Sequence, residues 1–154
     1  MNPNAALLTA LEPITRYVAT LDLSDPAAAQ RLLDTAFPPS FRGALDPLFR
    51  AAEAAGTLTP RRATPTLTFG RLSKPSAESD YQAIDVVDMA GAGAAHVHPR
   101  GEVSLCLPRE GTPVFEGCST GFVVMPPGSR HIPTVHGGRM VIAYWLPGGE
   151  IHFE

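Results

Sequence analysis

From Thr57 to its end the sequence leaves no room for a long helix between its apolar runs. Short stretches rich in β-branched and aromatic residues alternate there with Gly/Pro turns, the pattern of strands joined by tight connections. The predicted strands are 66–72, 81–89, 94–98, 102–107, 113–116, 121–125, 131–135, 139–146 and 150–153. Many short strands at such close spacing predict an antiparallel barrel or sandwich. The polar stretch 73–80, SKPSAESD, reads as a loop between two of them.

Residues 1–56 follow a different period. Leu7, Leu11, Ile14, Val18 and Leu21 recur every three to four positions and form one helical face. Pro13 interrupts that stripe, and a kink or a break into two short helices is expected there. Ser24-Asp25-Pro26 is a helix start, a capping side chain followed by proline at the first helical position. That helix carries Leu32, Leu33 and Phe37 and closes at Pro38-Pro39. A further helix is predicted from about Phe41 to Ala55, with Gly56 as its terminator. The expected organisation is a helical N-terminal extension, 1–56, on a β-barrel, 57–154, in one compact unit, with 57–63 as a short linker.

Composition narrows the function. At 154 residues and 44% apolar the chain is long enough for one well-filled core. Its net charge of −3 leaves no electrostatic footprint for nucleic acid. No apolar run is long enough to span a membrane, and the first residues lack the basic start of a secretory signal. The two cysteines, Cys106 and Cys118, do not make a disulfide framework, so a reducing cytoplasm is the expected compartment.

All five histidines lie in the β half. His96 and His98 are two apart, so on a strand both point to one face. A tight Pro99-Arg100-Gly101 segment then leads to Glu102, which a short turn can bring beside them. Two imidazoles and a carboxylate suit a divalent ion such as Fe, Mn, Ni, Co or Zn, with open positions for water or substrate. Further on, Pro126-Pro127-Gly128-Ser129-Arg130-His131 makes a sharp turn that re-aims the chain. In a closed barrel His131 can add a third imidazole from across the wall.

These segments resemble the two motifs of the cupin family. The first, G-x5-HxH-x3/4-E-x6-G, is matched at its ligand core by His96-Val97-His98-Pro-Arg-Gly-Glu102, with the flanking glycines displaced to Gly91 and Gly111. The second, G-x5-PxG-x2-H-x3-N, is matched by Gly121, Pro126, Gly128 and His131, one residue short between Gly and Pro, with Val135 in place of the closing Asn. The resemblance implies a cupin-type antiparallel β-barrel and makes His96, His98, Glu102 and His131 the ligands of a divalent metal ion. Nearly the whole chain also resembles the 4-hydroxylaminobenzoate lyases of bacterial nitroaromatic degradation, through HVHPRGEVSLCLP, GFVVMPPGSRHIPTV and RMVIAYWLPGGEIHFE. That likeness implies conversion of 4-hydroxylaminobenzoate and water to 3,4-dihydroxybenzoate (protocatechuate) and ammonia.

Such a substrate calls for a cation and apolar walls. Arg100 and Arg130 are the expected carboxylate partners, among Arg71, Lys74 and Arg139, although alternation turns Arg130 away from His131. Phe69, Tyr81, Phe122, Tyr144 and Trp145 are the candidate ring wall, Trp145 first among them. Glu102, His136 and Tyr144 are the expected proton-transfer groups, with His152 a further possibility. The sequence leaves two other readings open: another cupin enzyme such as an Fe(II) dioxygenase, or a non-catalytic small-molecule binder. The amphipathic helices and barrel edges suggest a homodimer.

Overall fold

The computed structural model describes residues 2–154, which form three helices followed by nine strands. Helix α1, Pro3–Val18, is capped by Asn2, whose side chain accepts from the Ala5 N–H. It runs unbroken through Pro13, where a kink or break was expected. Pro13 sits on the solvent side, so the carbonyl it leaves unpaired can be hydrated. Leu7, Leu11, Ile14 and Val18 on the other side are packed as one stripe, which holds both halves in line. Helix α2, Pro26–Ala36, starts at the predicted signal, with the Asp25 side chain accepting from the Ala28 N–H at 3.2 Å. Helix α3, Pro39–Ala54, begins at Pro39 itself because proline suits the first helical position. Gly56 ends this helical part at φ +74°, where only glycine sits without strain.

The strands are β1 Arg61–Thr64, β2 Leu67–Ser73, β3 Gln82–Ala92, β4 His96–His98, β5 Glu102–Phe115, β6 Gly121–Met125, β7 Ser129–His131, β8 Thr134–Pro147 and β9 His152–Phe153. Two of the predicted segments, 102–107 and 113–116, are one long strand, β5. The stretch expected as a linker contains the start of an edge strand, β1. The predicted strand 131–135 is divided between the end of β7 and the start of β8 by Ile132-Pro133, whose proline cannot donate to a ladder.

All pairings are antiparallel, in a six-stranded sheet ordered β1-β2-β3-β8-β5-β6 and a three-stranded sheet ordered β7-β4-β9. The fold is therefore mainly β, in antiparallel sheets, with a helical N-terminal part. Alternation gives the large sheet two different faces. Ile84, Val86, Val103, Leu105, Ala143 and Trp145 pack against the helices in one core. Met89, Cys106, Val123, Met140 and Ile142 form a second cluster on the opposite face. The chain passes from the small sheet to the large one through Pro99-Arg100-Gly101. Gly101 takes φ +85°, and a Cβ there would meet the Met125 carbonyl oxygen at 2.8 Å.

Candidate active site

Strand β4 aims His96 and His98 to one buried face, as their spacing requires. The third imidazole arrives by a different route from the one expected. His131 is not supplied from across the wall. It lies on β7, the immediate neighbour of β4, paired directly with His96. Direct cross-strand partners carry their side chains on the same face, so register alone brings the rings together.

The three Nε2 atoms converge. His96 to His98 and His98 to His131 are 3.0 Å apart, and His131 to His96 is 2.9 Å. The opposite ring nitrogens face oxygen: His96 Nδ1 lies 3.0 Å from the Ala94 carbonyl and His131 Nδ1 lies 2.9 Å from Glu116 Oε1. A carbonyl or carboxylate can only accept, so both Nδ1 atoms carry a proton, and in the neutral ring the Nε2 atom then presents a lone pair. Lone pairs facing one another at 2.9 Å repel unless a cation lies between them. Ligand nitrogens of one ion, each about 2.0–2.1 Å from it, stand roughly 3.0–3.4 Å apart, so the donor set fits a divalent metal. Burial, and then the neighbouring imidazoles, hold His98 down at about 3, and burial likewise lowers His96. Near neutral pH these rings are uncharged, the form a metal requires.

Glu102, the first residue of β5, stands beside this cluster rather than within it. Its Oε2 lies 3.2 Å from His98 Nδ1 but out of line with the ring N–H, which leaves that nitrogen without a hydrogen-bond partner. Its Oε1 accepts a 2.8 Å hydrogen bond from the Ser104 hydroxyl. Burial pushes the Glu102 carboxyl up to about 7, with Ser104 pulling the other way.

The cluster opens into a cavity of about 360 Å³ between the two sheets. His96, His131, Glu102, Ser104 and Tyr144 give it a polar end, and Phe69, Phe115, Ile142 and Phe153 are among its apolar walls. Burial first, then Asp85 and Glu102, drive the Tyr144 phenol well above its usual range, so it stays protonated. Asp85 is the cross-strand neighbour of Tyr144 and is gripped by Arg71 through bonds of 2.7 and 3.1 Å.

Several expected site residues lie elsewhere. Trp145 follows Tyr144, so alternation turns it to the helix side. There it is fully buried and donates from Nε1 to Thr15 Oγ1 at 3.0 Å. Phe122 joins the same helix-side core, and Tyr81 is 63% exposed. Arg130 is turned outward and is tied to Glu154 at 2.7 Å. Arg100 is exposed, 3.9 Å from Glu150. Neither arginine lines the cavity. His136 is exposed on β8, opposite Val114, and His152 is exposed on β9. Cys106 is buried on the cavity-side cluster. Sequence reasoning missed Glu116, which holds His131 from the turn after β5 at φ +49°. Its only advance signal is an acid beside a glycine in a hairpin turn.

The chain is 32% identical to a 4-hydroxylaminobenzoate lyase of Nocardioides sp. (strain LMS-CY) over 92 residues, covering 54% of each chain. It is 30% identical over 100 residues to one of Pseudomonas putida, covering 54% of this chain and 57% of that one. The matched part thus spans little more than half the length of these relatives. Among solved structures, an RmlC-like cupin protein of Ralstonia eutropha JMP134 is similar over 62% of this chain and 64% of its own, at 13% identity and a TM-score of 0.46. The family PnbB, 4-hydroxylaminobenzoate lyase, matches residues 16–153, and the chain belongs to it.

Proposed function

We propose that the chain is a metal-dependent lyase that converts 4-hydroxylaminobenzoate and water to 3,4-dihydroxybenzoate and ammonia. The observation that carries this reading is the convergence of three imidazole nitrogens at the polar end of an otherwise apolar, ring-sized cavity. His96, His98 and His131 would hold a divalent ion (Fe, Mn, Co, Ni or Zn), with Glu102 as the adjacent carboxylate. The ion, when bound, supplies Lewis acidity toward oxygen.

The reaction balances without O2 or an external reductant. Breaking the N–O bond takes up the two electrons that the ring gives up when it gains an oxygen. Water supplies the remaining oxygen, and nitrogen leaves as ammonia. This places specific demands on the chain. The N–O oxygen must be protonated as it departs, and Glu102, lining the same end of the cavity, is placed to give that proton. Tyr144, kept protonated between two carboxylates, donates a hydrogen bond to oxygen developing on the ring. Phe69, Phe115 and Phe153 hold the ring and keep bulk water from it.

The test is anaerobic incubation of the protein, purified without chelators, with 4-hydroxylaminobenzoate. Protocatechuate and ammonia should form in equal amounts, and chelation should stop both. Folded, metal-loaded protein that yields neither would refute the lyase reading. A requirement for O2 would favour a dioxygenase in its place.

A further inference from the structure

The cavity lining contains neither Lys nor Arg, yet the proposed substrate is an anion. The arginines nearest the site are already committed. Arg71 is held by Asp85, Arg139 by Asp88 and Glu110, Arg130 by Glu154, and Arg100 lies beside Glu150. Arg62 donates to the carbonyls of Thr64 and Pro65. One arginine on a cavity-lining strand is left. Arg61 on β1 is paired directly with Phe69, whose ring lines the cavity. Direct antiparallel partners share a face, so the Arg61 side chain leaves β1 on the same side of the sheet as that ring. The next residues of β1 that touch the cavity, Ala63 and Thr64, are small and leave the approach open. Among the described residues no acid forms an ion pair with Arg61.

We infer that Arg61 is the specificity-determining residue that reads the carboxylate of an aromatic acid at the β1 rim of the cavity. This deepens the proposed function and rests on it for the substrate class. The physical case has three parts. A planar guanidinium matches a carboxylate in two parallel hydrogen bonds. The Phe69 ring on the same face can take both a cation and a stacked aromatic ring. An unpaired arginine has no internal acid to release before it takes a ligand. A carboxylate held at the rim leaves the far end of the ring directed inward, toward the imidazoles.

Binding separates this inference from the lyase reading. 4-Aminobenzoate and aniline lack the N–O bond and differ only in the carboxylate. Calorimetry on the metal-loaded protein should show 4-aminobenzoate bound about tenfold more tightly, the effect of one charge-assisted contact at a half-wetted rim. Arg61→Gln should reduce that preference to within about twofold without altering aniline binding, and Arg61→Lys should keep part of it. Arg31→Gln, which removes an exposed charge on α2, should leave the preference intact. Three results would each overturn the inference: no preference in the native protein, an unchanged preference in Arg61→Gln, or an equal loss in Arg31→Gln. Turnover of 4-hydroxylaminobenzoate is scored separately. Charge-dependent binding without turnover would refute the lyase and leave Arg61 in its role; turnover unaffected by Arg61→Gln at low substrate would do the reverse.

Discussion

Tyr144 and Trp145 are consecutive residues on β8, and they live in different chemical worlds. Trp145 faces the helices amid Ile84, Val86, Val103 and Leu105, all of them at most 1% exposed. Tyr144 faces the cavity, where Asp85, Ser104 and Glu102 line up beside it across the strands. The outer face is uniform and apolar, so it gains from burial alone. The inner face keeps carboxylates and a phenol out of bulk water, where each must be hydrogen-bonded or paired. The two faces share one backbone, so a residue's parity on its strand decides whether it serves stability or chemistry.

The sharpest way to break this contrast is to remove one residue from each side. His131→Ala should lower activity by at least about a thousandfold and abolish stoichiometric metal binding, while the metal-free melting temperature changes little. Elemental analysis and calorimetry of the same sample would check both. Trp145→Ala should do the converse. It removes a fully buried ring and with it the N–H that the Thr15 hydroxyl oxygen accepts, at a cost of about 3–5 kcal/mol in urea unfolding. Activity per folded molecule should persist. If Trp145→Ala instead lost metal at unchanged stability, the division of labour between the faces would be wrong.

A finer test concerns the outer support of the imidazoles. Glu116→Gln keeps the shape of the side chain but removes the charge facing His131 Nδ1. Metal affinity should fall about 10- to 100-fold, measured by competition with a chromogenic chelator. An affinity equal to that of the native protein would make Glu116 a bystander.

The smallest expected effect is one of pH, in metal-free protein. His96 and His98 have folded values below their unfolded one, so below about pH 6.5 the unfolded chain binds the extra protons and stability drops. Glu102 is raised to about 7, so its contribution is present below about pH 4.5 and is lost as pH rises toward 7. Between about pH 4.5 and 6.5 two histidines therefore oppose one carboxyl. The net loss on acidification is at most about 1.4 kcal/mol per pH unit. Thermal melts at pH 6.5 and 5.0 should show the lower value at 5.0; a flat or rising trend would contradict the burial of neutral imidazoles.

Much of this was legible in the sequence because strand alternation has a short, strict period. A spacing of two puts His96 and His98 on one face, and the same rule turned Arg130 outward. Helix signals were equally local: Asp25-Pro26 starts α2, and Gly56 closes the helical part. What escaped was register, which depends on pairings far apart in the chain. Nothing near His131 says that it will lie opposite His96, or that Trp145 will lie opposite Val103 on the helix side. Glu116 and Arg61 escaped for the same reason, since each acquires meaning only from a residue on another strand. Pro13 was misread because a proline's effect depends on whether its unpaired carbonyl meets water or core.

Trp145 is also the chain's single tryptophan. Its indole is enclosed between α1 and the large sheet, with its N–H engaged by Thr15. The protein thus carries an intrinsic fluorophore at the seam between its helical and β parts. Its emission should be blue-shifted in the native state and should move to the red as soon as α1 lifts from the sheet. Excitation at the tryptophan band consequently reports the docking of the N-terminal helices, and a ligand entering on the other side of the sheet reaches that signal only through the strand that bears both residues.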